Sequence, residues 1–153
     1  MTFNYTETLE KVYGIPESNI LHIHGSRIKK DHKYIIGHNN RRDPNEAYND
    51  EKQLPFLQPA QSNIINWMND LVKDTKAIIG ENPQFFSKLS DTERVVVYGH
   101  SLSEIDWPYM KEIVRNIGTN KTWSISYHSE EDSKQIDLFV KEMGLKNVKK
   151  SKV

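Results

Sequence analysis

Short apolar runs alternate with longer stretches of helical periodicity along most of the chain. The clearest run is Val95-Val96-Val97-Tyr98, within a predicted strand at Arg94–Tyr98, and its short, β-branched character is typical of a strand buried on both faces. Similar patterns predict further strands at Thr2–Tyr5, Ile20–His24, Tyr34–His38 and Trp123–His128. The Lys-rich segment Lys146–Lys152 is typical of an edge strand or a frayed tail.

Helices are predicted where apolar residues recur at three- and four-residue steps. The longest, Ser62–Ile79, has a wide apolar face, on which Trp67 lies beside Ile64, Ile65, Met68, Leu71 and Val72. A short helix capped by Thr6 places three apolar residues on one face, Leu9, Val12 and Tyr13. Further helices are predicted around Phe85–Leu89, over Tyr109–Ile117 and over Ile136–Met143.

The order of these elements predicts the fold class. Because strands and helices alternate, we expect an α/β fold: a mostly parallel, Rossmann-like three-layer sheet with helices on both faces. A chain of 153 residues suits one domain, 1–153, and no internal repeat divides it. Residues 39–60 lack usable periodicity and contain three prolines, which predicts a long surface loop.

Composition excludes several classes of function. Lys and Arg total 21 and so do Asp and Glu, so no overall charge attracts nucleic acid or an anionic membrane. The chain has no cysteine, which excludes disulfides, thiolate metal sites and a thiol nucleophile. No basic and apolar leader opens the sequence, and no apolar run is long enough to span a bilayer. We therefore expect a cytoplasmic protein.

Candidate chemistry is concentrated at Gly99-His100-Ser101, where an apolar strand gives way to a helix. Ligands of α/β proteins bind at such junctions, and the amides that open a helix can bind an anion. Ser101 and Glu104 have the spacing of a capping box. The alternative is that Ser101 or Asp106 serves only as a helix cap.

Several histidines are also predicted at strand ends, namely His24, His38, His100 and His128. There a histidine can act as a general acid or base near neutral pH, although each is explained equally well by hydrogen bonds to the backbone. His22 and His24 share one strand face and could bind zinc with His128 or Asp106. Because this spacing lacks a companion carboxylate motif, we expect no metal.

The segment Gly99-His100-Ser101-Leu102-Ser103 also comes within one residue of a Gly-x-Ser-x-Gly nucleophile elbow. A serine hydrolase of that kind needs an acid and then a histidine after the serine. Here Asp106 is too close to Ser101, and His128 precedes Asp132. A serine hydrolase is therefore the third interpretation of the chain.

Four segments together resemble the bacterial abortive-infection family AbiH, whose members act in defence against bacteriophage. They are Phe3-Asn4-Tyr5-Thr6-Glu7-Thr8-Leu9-Glu10, Leu21-His22-Ile23-His24-Gly25-Ser26, Tyr34-Ile35-Ile36-Gly37-His38 and Gly99-His100-Ser101-Leu102-Ser103-Glu104-Ile105-Asp106-Trp107-Pro108-Tyr109. AbiH proteins resemble in turn the sirtuin-like domains of defence systems, which bind and cleave NAD. The resemblance thus implies a phage-defence protein with NAD as its cofactor or substrate.

The resemblance also implies catalytic roles for two residues. Asn4 matches the asparagine of the sirtuin Thr-x-Asn-x-Asp motif, which helps to position water, and Thr6 stands where that motif has Asp. His24 matches the catalytic histidine, a base for the ribose hydroxyls. If the chain is an enzyme, the resemblance therefore implies a NAD glycohydrolase.

Cofactor-binding roles are implied at the strand end. Gly99 and Ser101 match a Gly-x-Ser strand tip that contacts the phosphate or ribose, and Asp106 matches an acidic position common in the defence group. The expected cofactor-binding residues are Gly25, Gly99, His100, Ser101 and Asp106.

One segment of the family has no counterpart here, the opening strand with its Gly-Asn-Gly-Phe-Asp-like phosphate loop. We therefore expect the C-terminal half of the family fold, without the first βα unit, and an incomplete nucleotide site. Such a sheet has an exposed edge, which favours a homo-oligomer, a partner defence subunit or a phage component as partner. The main alternative to a nucleotide-binding protein is accordingly a non-enzymatic interaction module that uses this edge and the 39–60 loop.

Overall fold

The computed structural model describes residues 1–27, 34–38, 41–45 and 55–153 of the chain. Within the predicted 39–60 loop, residues 39, 40 and 46–54 lie outside the described residues. The chain forms two compact units, Met1–Asp74 and Thr75–Val153, which we describe in turn. No helix in the described ranges is both long and apolar enough to cross a bilayer.

The N-terminal unit contains helices α1 (Thr8–Lys11) and α2 (Gln58–Asp70) and short 3-10 turns at Glu17–Asn19 and Pro55–Leu57. The strands predicted at Thr2–Tyr5, Ile20–His24 and Tyr34–His38 do not form. Among the described residues of this unit, isolated parallel bridges occur instead, between Thr2 and His22 and between His38 and Val72.

The first bridge stays isolated because the chain turns directly after it. Thr2 N donates to Leu21 O (2.8 Å) and Ile23 N donates to Thr2 O (3.1 Å), but Gly25 N then folds back onto His22 O (3.0 Å). A backbone that turns at this point cannot continue a ladder. The predicted strand pair is therefore reduced to one bridge.

Helix α1 also differs from its prediction. It begins at Thr8, and no side chain caps it, so the predicted cap by Thr6 is wrong. Val12 is 72% exposed and Tyr13 is 70% exposed, so the predicted apolar face is not buried. In a helix of four residues, few side chains can be held against a core.

The predicted helix Ser62–Ile79 is interrupted at its centre. Lys73 N donates to His38 O (2.7 Å), outside the helical pattern, and His38 N donates to Leu71 O (3.2 Å). Gly37 makes this approach possible, because a Cβ there would lie 1.9 Å from the Leu71 carbonyl oxygen. The helix therefore ends at Asp70, and a separate helix α3 (Thr75–Gly80) follows.

The C-terminal unit continues from α3 with α4 (Pro83–Ser87) and a 3-10 turn at Lys88–Asp91. It then alternates as the sequence predicts, and the strand that includes the Lys-rich end forms in full. The elements are β1 (Arg94–Val97), a 3-10 turn at Glu104–Asp106, α5 (Trp107–Ile117), β2 (Thr122–Tyr127), α6 (Glu130–Met143) and β3 (Asn147–Lys152).

The three strands form a parallel sheet in the order β1-β2-β3. Right-handed crossovers that advance in one direction place both α5 and α6 on the same face. On that face Trp123 and Ile125 are fully buried, and the Trp123 ring lies 5.9 Å from the ring of Phe139 on α6. The core of this unit therefore lies between one sheet face and its two crossover helices.

The opposite face is less covered. Val96 is 64% exposed and Tyr98 is 76% exposed, whereas Val97 is buried. The prediction that the Val95–Tyr98 run is buried on both faces is therefore wrong: alternate side chains point to opposite faces, and only one face carries the crossover helices. The unit shows a mixed helix and strand fold with a small parallel sheet.

A capping box begins helix α6. Ser129 Oγ accepts from Asp132 N (3.0 Å), and Asp132 Oδ2 accepts from Ser129 N (3.0 Å). Hydrogen bonds from the Ser129 backbone, the Ser129 side chain and the His128 backbone lower the pKa of Asp132. Two amides that the helix leaves unpaired are thereby satisfied at the edge of the sheet.

Ser129→Ala should lower the free energy of unfolding by about 1 kcal/mol, because it removes the acceptor for the Asp132 amide. Urea denaturation followed by circular dichroism measures the change. Ser103→Ala is the matched control, since Ser103 precedes a 3-10 turn without a side-chain cap. Equal losses in the two variants would contradict a specific role for the capping box.

Candidate functional site

The turn that follows β1 begins at Gly99, which has a φ of 64°. Gly99 N donates to the hydroxyl of Ser126 on β2 (3.2 Å), and Ser126 is itself 8% exposed. This bond ties the start of the turn to the neighbouring strand. The predicted strand-to-helix junction thus lies at the carboxyl end of the parallel sheet, where α/β proteins bind ligands.

His100 is held inside the turn by contacts at both ring nitrogens. Its Nδ1 accepts from Leu102 N (2.9 Å), and its Nε2 lies 3.4 Å from Asp106 Oδ2. Because an amide can only donate, the proton of the neutral ring is on Nε2 and faces the carboxylate. The sequence-predicted residues His100 and Asp106 are therefore brought together, and the pair fixes the shape of the turn.

Leu102 is the strained residue of the turn. It is fully buried, and its φ of 51° is uncommon for a bulky side chain, with a typical cost of about 1–3 kcal/mol. Two donors hold its carbonyl oxygen, Trp107 Nε1 (2.8 Å) and Gln135 Nε2 (3.3 Å). The buried side chain and these bonds keep the backbone in this conformation.

Ser101 is exposed at the tip of the turn. The predicted capping box of Ser101 and Glu104 is wrong, because the 3-10 turn begins at Glu104 after Ser103 and no side chain caps it. Asp106 occupies the N-cap position of α5 but makes no cap bond there, and it faces His100 instead. The hydrolase interpretation requires a histidine that is hydrogen-bonded to Ser101. No such bond occurs within the described residues.

Acidic residues occur at the starts of the helical segments that follow β1 and β2, whereas β3 ends at the same edge of the sheet in Lys152. The acidic residues lie in the 3-10 turn before α5 and in the first turn of α6. These residues are Glu104, Asp106, Glu130, Glu131 and Asp132. The capping box satisfies the Asp132 amide of α6 and the Ser129 amide before it. Carboxylates accept hydrogen bonds from hydroxyl groups and repel phosphate. The edge is therefore better suited to sugar hydroxyls than to a pyrophosphate.

Tyr109 lies in the first turns of α5 and is fully buried. Burial raises the pKa of Tyr109, and the negative charge of Asp106 raises it further. Both effects disfavour the phenolate form. The neutral phenol is therefore part of the packing beneath the turn.

In the N-terminal unit, Asn4 is exposed and its backbone is bound on both sides. Asn4 N donates to Thr2 Oγ1 (3.2 Å), and Asn4 O accepts from His22 Nδ1 (2.9 Å). The other nitrogen of His22 lies 2.7 Å from Glu10 Oε1. Glu10 is a partner that sequence reasoning missed, because the interpretation of α1 considered only its apolar positions.

His24 is only 6% exposed, and its ring lies edge-on to Phe3 at 5.3 Å. Its Nε2 is 3.4 Å from Lys73 Nζ. An ammonium group can only donate, so this nitrogen acts as the acceptor. Lys73, 49 residues away along the chain, gave no sequence signal as a partner of His24.

The described residues contain no group of three or more His, Cys, Asp or Glu side chains placed to hold a metal ion. Both ring nitrogens of His22 face oxygen atoms, those of Asn4 and Glu10. His24 Nε2 faces the Lys73 ammonium. Zinc coordination by His22 and His24 thus has no support in the described geometry.

A surface groove of about 290 Å³ lies in the N-terminal unit beside α1. Its lining combines hydroxyl, charged and apolar groups, those of Thr6, Glu7, Thr8, Lys11, Val12 and Arg27. The predicted residues Asn4, His24 and Gly25 are not among them. The groove and the predicted catalytic residues are therefore separate features of this unit.

The predicted site residues fall in the two units. The N-terminal unit holds Asn4, His24 and Gly25, and the C-terminal unit holds Gly99, His100, Ser101 and Asp106. Within the second set, His100 is joined to Asp106, and Gly99 is bonded to Ser126 of the neighbouring strand.

Tyr109→Phe should make stability less sensitive to alkaline pH. Because the folded-state pKa is raised, the neutral phenol stabilises the fold below the unfolded pKa of about 10, and this contribution is lost as the pH rises further. Between pH 8 and 11, wild type should lose about 1 kcal/mol more than the variant. Urea denaturation of both proteins between pH 8 and 11 measures this difference in the free energy of unfolding.

Tyr98→Phe is the control for that experiment, since Tyr98 is 76% exposed. Its stability should follow the wild-type pH profile. The same profile in Tyr109→Phe would contradict the role assigned to the buried phenol.

A comparison with known families agrees with the four sequence segments. The family described as Bacteriophage abortive infection AbiH matches residues 1–127. No curated protein and no solved structure matches the chain. The family match spans 127 of 153 residues and includes both the N-terminal motifs and the turn after β1. The chain therefore belongs to the bacteriophage abortive infection family AbiH.

Proposed function

We propose that this AbiH-family chain acts in phage defence by recognising a nucleotide at the turn after β1. One observation carries the proposal: His100 is held between the Leu102 amide and the Asp106 carboxylate, which leaves Ser101 exposed at the carboxyl end of a parallel strand. Strand ends of this type bind ligands in α/β proteins. The pair positions the turn, and the Ser101 hydroxyl is the group proposed to contact the ligand.

NAD is the nucleotide that the sirtuin-like resemblance implies. The edge of the sheet at this turn suits one part of NAD, the ribose. The carboxylates along this edge match ribose hydroxyl groups, as an acidic residue does in dinucleotide-binding folds. The same carboxylates oppose a pyrophosphate. These carboxylates thus support recognition of the ribose more than of the phosphates.

Cleavage of NAD is a further step that would need Asn4 and His24. Asn4 is exposed, but His24 is 6% exposed and its Nε2 contacts the Lys73 ammonium. A general base must reach the proton that it removes. We therefore limit the proposal to nucleotide recognition and derive no catalytic step.

The second candidate function is an interaction module of a defence system. The observation in its favour is the exposure of large side chains on one face of the sheet, where Val96 is 64% exposed and Tyr98 is 76% exposed. A further layer on this face would complete the three-layer arrangement expected from the sequence. Under this interpretation the turn after β1 is structural, and the chain does not bind nucleotides.

Isothermal titration calorimetry with NAD tests the proposed function. We expect wild type to bind NAD and Ser101→Ala to bind it two- to tenfold more weakly, on the order of one lost hydrogen bond. Inorganic pyrophosphate should not displace NAD, because the ribose is the recognised part.

Ser90→Ala is the matched control, since Ser90 is an exposed serine on the 3-10 turn before β1, and its hydroxyl lies 3.5 Å from Asp91. It should bind like wild type. If wild type does not bind NAD, or if both serine variants lose affinity equally, the proposed nucleotide site is wrong and the interaction module gains support.

Nicotinamide release tests the catalytic step separately. Because His24 is buried and faces Lys73, we expect neither wild type nor His24→Ala to release nicotinamide from NAD. Chromatography after prolonged incubation measures the product. Release by wild type that disappears in His24→Ala would show that His24 becomes accessible and that the chain is a NAD glycohydrolase.

A further inference from the structure

A row of apolar side chains on α2 and the turn before it remains uncovered. The spacing of four and three residues places Ala60, Ile64 and Trp67 along one side of α2, while Phe56 lies on the 3-10 turn before the helix and Leu71 directly after its end. We name this row the α2 stripe, and it consists of Phe56, Ala60, Ile64, Trp67 and Leu71. Phe56 is 73% exposed, Ile64 56%, Trp67 64% and Leu71 38%.

The sequence predicts a wide apolar face on this helix, a pattern typical of a side that packs against a core. Instead, none of the described α2 residues is buried. Ile65, Met68 and Val72 are half-buried, so the adjacent side of the helix is the more covered one. The α2 stripe is thus a second apolar side of the same helix, and it is more exposed than the adjacent side.

The stripe is free of charge as well as apolar. No Asp, Glu, Lys or Arg occurs from Pro55 to Asn69, in a chain in which 27% of residues are charged. Depletion of charge is the compositional mark of an interface centre. The exposed residues beside the stripe include Asn63 and Asn66, whose amides both donate and accept hydrogen bonds.

The missing charges also indicate the kind of partner. A partner with charged groups would find no complementary charge here, whereas a second copy presents the same apolar row and the same amide groups. A twofold interface requires such self-complementarity. Two copies of α2 that run antiparallel would also align their helix dipoles favourably.

The exposed apolar area of the α2 stripe is close to the area that a weak dimer interface buries. A buried aromatic side chain covers about 150–250 Å², so the exposed fractions of Phe56 and Trp67 alone correspond to roughly 200–350 Å² per copy, to which Ala60, Ile64 and Leu71 add further apolar surface. Two copies together approach the ~1,000 Å² of a specific but weak interface. We propose that the α2 stripe pairs with the α2 stripe of a second copy of this chain in a weak, twofold dimer. This pairing is independent of nucleotide binding.

Sedimentation velocity of the full chain over a range of concentrations tests the pairing. Wild type should pass from monomer to dimer as its concentration rises, and Trp67→Lys should need at least about tenfold more protein, because a charge is placed in the apolar contact. Val12→Lys is the matched control, since Val12 is also in the N-terminal unit and is 72% exposed. It should dimerise like wild type.

Two further readouts locate the interface. Acrylamide quenching of tryptophan fluorescence should fall as wild type dimerises, because Trp67 is 64% exposed while Trp123 is fully buried. The chain has no cysteine, so Asn63→Cys should form disulfide-linked dimers on oxidation more readily than Ser90→Cys. A wild-type monomer at all concentrations, a dimer insensitive to Trp67→Lys, or equal cross-linking of the two cysteine variants would overturn the proposal.

Discussion

The parallel pairing of β1, β2 and β3 is the constraint on which the C-terminal unit depends. Parallel neighbours cannot be joined by tight turns, so each pair requires a crossover helix, and crossovers that advance in one direction fall on one face. This arrangement places Trp123 against Phe139 in the core and leaves Val96 outside it. It also brings both strand-to-helix junctions to the same edge of the sheet, which is the reason that the turn after β1 lies beside the capped start of α6.

The C-terminal unit could be predicted from sequence because its signals are local and agree with each other. Pro108 falls in the first turn of α5, Gly118 follows its last residue with a φ of 81°, and Ser129 caps α6. The N-terminal unit could not, because its apolar runs do not form strands. Gly37 allows residues 37 and 38 to approach Leu71 closely, and hydrogen bonds between distant segments then decide where α2 ends. A pattern read along the chain contains no information on such pairings.

In the candidate site as well, local features could be predicted from sequence, whereas features that depend on distant residues could not. Sequence reasoning placed Gly99, His100, Ser101 and Asp106 at one junction, and the described contacts connect His100 with Asp106. It assigned Ser101 a capping role that the structure does not contain, since capping spacing occurs wherever Ser precedes Glu by three residues. The burial of His24 depends on Phe3 and Lys73, which come from opposite ends of the N-terminal unit. His24 can therefore act on a substrate only if its ring becomes accessible, and a sequence motif does not show accessibility.

The left-handed backbone of Leu102 has a thermodynamic consequence for the turn. A flexible loop loses conformational entropy when a ligand orders it, and that loss weakens binding. Here the buried Leu102 side chain, with Trp107 and Gln135 on its carbonyl oxygen, orders the backbone when the protein folds. The turn is in this sense preorganised: its entropy is lost during folding, so a ligand that meets Ser101 encounters a surface that is already fixed.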